Sequence, residues 1–109
     1  MLELSIAKEF SDAPGPRSRE EGDFSGELFL ETLLRPRFEE ALRGNIKLVV
    51  DLDGAEGYAT SFLEAAFGGL ARLYDADTVL RTLHLKSDDE PHLPDEIKKY
   101  ILEASAAHK

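Results

Sequence analysis

Apolar and polar positions alternate at the start of the chain, with Leu2, Leu4 and Ile6 set against Glu3 and Ser5. A period of two puts the three apolar residues on one face and predicts a strand over residues 2–10. The following SDAPGPRSREEGD is polar and turn-rich, and Pro14, Gly15 and Pro16 stop regular structure. From Ser25 the period lengthens. Leu28, Phe29, Leu33, Phe38, Ala41 and Leu42 fall at three-and-four spacing, which predicts helix over residues 25–44. Ser25 is placed to cap it, but Leu28 three residues on has no side-chain acceptor, so no capping box forms. Pro36 has no amide hydrogen and predicts a kink or break near Arg35, with Gly44 ending the second piece.

Residues 45–53, NIKLVVDLD, form a near-continuous apolar run through Ile46, Leu48, Val49, Val50 and Leu52. That is how a central strand covered on both faces reads. From Ser61 to Tyr74, the apolar residues Phe62, Ala65 or Ala66, Leu70 and Leu73 return to helical spacing. Gly68 and Gly69 lie inside this helix, where each costs roughly 1 kcal/mol relative to alanine, so a neighbouring backbone is expected to come close. VLRTLHLK, residues 79–86, predicts another strand with His84 on its solvent face. The loop KSDDEPHLP leads to a last helix with Pro94 in its first turn and Ile97, Ile101 and Ala104 on one stripe. Strand, helix pair, strand, helix, strand, helix is the order of an α/β fold with a small sheet.

Composition narrows what such a fold can do. The 109 residues fit one domain, residues 1–109, and an apolar content of 42% suffices for one modest core. A formal charge of −9 and a pI near 4.7 argue against nucleic acid or an anionic membrane as partner, since both would be repelled at long range. The absence of cysteine removes disulfides, thiolate metal sites and cysteine nucleophiles, and suits a reducing compartment. No basic-then-apolar leader and no apolar run of about 18 residues occurs, so a cytoplasmic location is expected. No histidine pair has the spacing of a zinc site, and no metal or cofactor is expected.

Candidate chemistry concentrates in KLVVDLDGAEGYATSFLEAAFGGL, residues 47–70. Lys47 to Gly54 resembles the first motif of the haloacid dehalogenase superfamily, an apolar strand ending in Asp-x-Asp-Gly-Thr. That resemblance implies a metal-dependent phosphohydrolase using Asp51 and Asp53, with Lys86, Asp88 and Asp89 imitating the later lysine and aspartate motifs. Ala55 stands where that family has threonine, and the motif falls mid-chain. Without the resemblance, the two aspartates are polar residues at a strand end that tie loop amides.

The strand, loop and helix of residues 45–74 also resemble the central unit of STAS domains, the fold of bacterial anti-sigma factor antagonists. There a buried strand leads to Asp-Ser-Ser-Gly, and a serine at the start of the next helix is phosphorylated by an ATPase-like partner kinase. Laid without gaps from Asp51, this chain puts Thr60 and Ser61 on the two serines, Ala59 on the aspartate and Phe62 on the glycine. GPRSREEGDFSGELF (residues 15–29), the strand ending DLDG, and GYATSFLEAAFGGL (residues 57–70) look similar to the group called STAS-like domains. The resemblance implies a single STAS-like domain with a small mixed sheet covered by helices, acting without catalysis as a regulatory module that binds another protein, such as an ATPase-type kinase or regulator. Nothing in the sequence sets its oligomeric state.

Ser61 reads two ways. Ser61-Phe-Leu-Glu64 has the form of a capping box, in which serine and glutamate exchange hydrogen bonds with each other's amides. A phosphate on Ser61 or Thr60 would instead face free helix amides. The interaction surface expected around these hydroxyls takes in Gly57, Tyr58, Gly68, Gly69 and, from the preceding loop, Arg17, placed to pair with Asp51, Asp53 or a phosphate.

Overall fold

The computed structural model describes residues 1–108, and in it the alternation at the N-terminus becomes a short strand, β1 (Leu2–Ser5), followed at once by one helical turn, α1 (Ile6–Glu9). The strand stops at Ser5, short of the expected residue 10. The Ser5 hydroxyl accepts from the Lys8 amide at 3.2 Å, and the Glu9 carboxylate accepts from the Ser5 amide at 3.0 Å. Those local bonds favour a helical turn over a longer strand, and the turn keeps Ile6 buried.

Residues 26–44 form one helical rod made of α2 (Gly26–Phe29), a π turn (Leu30–Leu34) and α3 (Arg35–Gly44). The Ser25 hydroxyl caps it, accepting from the Leu28 amide at 3.0 Å. Pro36 does not break the rod. The wide turn carries an Arg35 amide to Leu30 carbonyl bond immediately before the residue that has no amide to give. Asn45, with φ of 52°, supplies the left-handed residue that ends the rod after Gly44.

Strand β2 (Leu48–Asp51) lies between β1 and β3 (Leu83–Lys86), and both ladders are parallel. The α/β class and the small sheet are as expected, but the sheet is parallel throughout and not mixed, because each passage between strands runs through helix and returns to the same end. A second rod, residues 60–73, joins α4 (Thr60–Leu63), a π turn (Glu64–Gly68) and α5 (Gly69–Leu73). Residues 79–82, expected to be strand, belong instead to α6 (Ala76–Thr82). Asp75 caps it by accepting from the Thr78 amide at 2.8 Å, leaving LHLK as the strand. Helix α7 (Leu93–His108) closes the described chain.

Parallel register places Leu2, Leu48 and Leu83 in one row and Leu4, Val50 and Leu85 in the next on the same face. Against that face pack Phe29, Phe38, Phe62, Phe67, Leu70, Ile97 and Ile101 in one buried cluster. The opposite face carries Glu3, Val49 and His84, then Ser5, Asp51 and Lys86. Glu3, His84 and Lys86 are exposed, so β2 is central but covered on one face only. Four fully buried phenylalanines and several leucines form the core; burial of each such side chain is worth about 1.5–3 kcal/mol.

Candidate functional site

The loops that leave β2 and β3 are stitched together where the sequence placed its two aspartates. The Leu52 amide donates to the Lys86 carbonyl at 2.8 Å, extending the ladder by one bond. Asp53 accepts from the Asp88 and Asp89 amides, each at 2.8 Å, and from the Lys86 ammonium at 3.0 Å. Asp51 accepts from the Asp53 amide at 2.9 Å, and Asp89 from the Gly54 amide at 3.1 Å. Gly54 adopts φ of 91°, a conformation glycine takes without strain, which lets the loop turn back toward Asp89. The Asp89 and Asp88 amides and Lys86 hold the Asp53 carboxyl below its usual range. Asp53 in turn, with Asp88, raises the Lys86 ammonium above its own. The structure therefore gathers Asp51, Asp53, Lys86, Asp88 and Asp89, and uses Asp53 as an acceptor for fixed donors. Among the described residues, no group of three or more histidine or carboxylate side chains is arranged to hold a metal ion.

Tyr58 braces this loop from below. Its hydroxyl donates to the Leu52 carbonyl at 2.7 Å and its ring lies 6.0 Å from that of Phe62. Burial, with Asp51 and Asp53 nearby, pushes its phenol up. Gly57 stands beside it, and a Cβ there would meet no atom within 4 Å.

The start of the second rod differs from the capping-box reading. The N-cap is Ala59, which has no side-chain oxygen; its carbonyl accepts from the Phe62 and Leu63 amides at 3.1 and 3.2 Å. Ser61 therefore sits inside the first turn, and Glu64 does not return to it. The Glu64 carboxylate is turned to Arg17 and Arg72, the latter at 2.8 Å. Two guanidiniums outcompete one amide for a carboxylate. Arg72 and Arg17 hold the Glu64 carboxyl below its usual range. The Ser61 hydroxyl, half-buried, makes no hydrogen bond to protein among the described residues, while Thr60 is exposed.

Gly68 and Gly69, expected on the interaction surface, are buried. At Gly68 a Cβ would run into the Glu64 carboxylate and lie 3.5 Å from Ala104; at Gly69 it would meet Leu30 at 2.7 Å. Their smallness serves packing between the two rods and α7. Arg17 does not reach Asp51 or Asp53, which Lys86 already engages. Its loop is fixed by the Gly26 amide on the Pro16 carbonyl at 2.8 Å, the Glu27 amide on the Arg17 carbonyl at 3.0 Å, and the Gly15 amide on the Phe24 carbonyl at 2.9 Å. Arg72 and Arg35, which share a groove with Arg17, went unnoticed in the sequence. No local pattern links the three, because they come from three separate segments.

Residues 25–93 match the family described as STAS-like domain of unknown function (DUF4325). The chain belongs to this family. The part of the STAS-like domain that matches begins at the capping Ser25 and ends at Leu93, taking in β2, β3, both rods, Ser61 and the stitched loops. Arg17 and β1 lie outside it, although residues 15–24 carried part of the resemblance seen in the sequence. No curated protein and no solved structure matches the chain. Among the described residues no helix is long and apolar enough to cross a membrane.

Proposed function

We propose that this STAS-like domain is a non-catalytic regulatory module that binds another protein through the loop of residues 54–59 and the first turn of the second rod. Ser61 is its regulated contact hydroxyl, and the partner is an ATPase-type kinase or regulator. The observation that supports this reading is the uncapped helix start. Ala59 offers no side-chain acceptor and its carbonyl takes the Phe62 and Leu63 amides, so the Thr60 and Ser61 amides and the Ser61 hydroxyl stand ready for a group supplied from outside. A phosphate on Ser61 would be favoured there by the free amides and the positive end of the helix. The stitched loops hold this surface in place from the other side.

Capture of the protein with its partner from native cells, with mass spectrometry of both, tests the reading. An ATPase-type protein recovered with the domain, and phosphate found on Ser61 or Thr60, are the expected results. Magnesium-dependent hydrolysis of an aryl phosphate, lost in Asp51→Asn, would replace the reading with the phosphohydrolase.

A further inference from the structure

A groove of about 700 Å³ lies between the two rods and the loop that carries Arg17. Its walls include Leu30, at the start of one π turn, and Ala65, in the other. Such wide turns recur at functional sites. Leu30, Ala65 and Gly69 give it an apolar floor, while Arg17, Arg35 and Arg72 reach into it from three sides. Both its size and its mixture of apolar wall with a few charged groups are those of a small-molecule site.

The charges around it are not balanced pair by pair. Arg17 and Arg72 share one carboxylate, that of Glu64, with one oxygen facing each guanidinium. Arg35 has Glu39 at 3.4 Å, outside the groove lining. The two carboxylates that line the groove are Glu31, ion-paired with Arg19 at 2.8 Å, and Glu27, which accepts from the Arg19 amide at 3.2 Å. This concentration of guanidinium stands out in a chain of net charge −9. Beside the groove, the Glu64 carboxylate bridges Arg17 and Arg72, so a carboxylate is a head group that these guanidiniums accept. Glu64 can sit there because Gly68 has no Cβ to displace it.

We propose that this groove binds a small organic acid, a carboxylate on an apolar body, with the head group held by Arg72 and Arg35 and the body laid on Leu30, Ala65 and Gly69. Glu64, which already pairs with Arg72, is then an internal competitor for that guanidinium. This site is separate from the Ser61 surface and does not depend on the reading given to it.

Sodium octanoate is a suitable probe, titrated calorimetrically into the full chain, with acetate testing the head group alone and octanol the body alone. Saturable binding of octanoate, tighter than of either control, is expected. Arg72→Gln and Arg35→Gln should each weaken it by about tenfold, as loss of a charge-assisted bond does. Glu64→Gln should tighten it several-fold, because it frees Arg72 from its internal carboxylate, an effect that unspecific adsorption to apolar surface would not produce. Circular dichroism on each variant separates loss of binding from loss of fold, and both arginines are nearly half exposed, which makes their replacement mild. No saturation up to about 10 mM, affinity equal to that for octanol, or equal affinity in the wild type and the two arginine variants would overturn the proposal.

Discussion

Asp51 and Asp53 stand two residues apart and do different work. Asp53 serves two amides and an ammonium, whereas Asp51 serves one amide and has Lys86 only at 3.9 Å. Asp53→Asn should therefore lower the melting temperature clearly more than Asp51→Asn, and thermal unfolding of the two variants side by side checks the order. Equal losses would mean that the loops are not held through Asp53. The residue types alone could not make this distinction, since the donors to Asp53 come from a loop 35 positions further on. Ser61 shows the opposite problem. Its spacing to Glu64 is that of a capping box, and only the extended conformation of Ala59, two residues earlier, with Arg17 and Arg72 drawing Glu64 away, moves the cap off Ser61.

Among the elements, the two rods were legible as helices because their apolar stripes run at one period from end to end. Their π turns were not, because a widened turn keeps the stripe and changes only which amide meets which carbonyl. Strand β1 was read too long because Ile6 is apolar and inward-facing both in a strand and in the turn that Ser5 caps. Residues 79–82 suit a strand by sequence because Val79 and Leu80 fit either state; the Asp75 cap, upstream of that stretch, decides for helix. Two substitutions test the first rod and the core. Ser25 is buried and caps the Leu28 amide, so Ser25→Ala should cost about 1 kcal/mol in denaturant unfolding. Phe62 is fully buried, with ring centroids 5.8 Å from Phe29 and 6.0 Å from Tyr58, so Phe62→Ala should cost about 3–5 kcal/mol, a large share of the stability of a small domain. A folded, stable Phe62→Ala protein would contradict this packing.

For the whole molecule, one sheet face is built into the core and the other is polar, which the apolar run of β2 concealed because Val49 reads like Val50. Its neighbours in register, Glu3 and His84, set the exposed side. Stability should depend on acid through several carboxylates at once. Glu9, chiefly through its hydrogen bond from Arg37, Asp53, chiefly through the Asp89 amide, and Glu64, chiefly through Arg72, are all held below their ordinary values. A carboxyl depressed in the folded state binds protons more readily when unfolded, so its contribution is present above the ordinary carboxylate range and is lost as pH falls through the folded-state value. The melting temperature should be level near neutrality and fall steeply below the ordinary carboxylate range. A melting temperature independent of acid would contradict the ion pairs that tie Arg37, Lys86 and Arg72 to these carboxylates.

The central proposal is that Ser61 meets a partner and does not hold the helix. Because Ala59 is the cap, Ser61→Ala and Ser61→Asp should both leave thermal unfolding nearly unchanged, within about 1 kcal/mol, alanine being a good helix former and aspartate being favoured in a first turn. The most direct measurement is partner recovery from native cell extract with these two variants, quantified by mass spectrometry against the wild type. Recovery retained with Ser61→Ala and lost with Ser61→Asp is predicted, since a fixed charge at the contact must be desolvated for the partner to bind. Equal recovery with both variants, from proteins of equal stability, would contradict it.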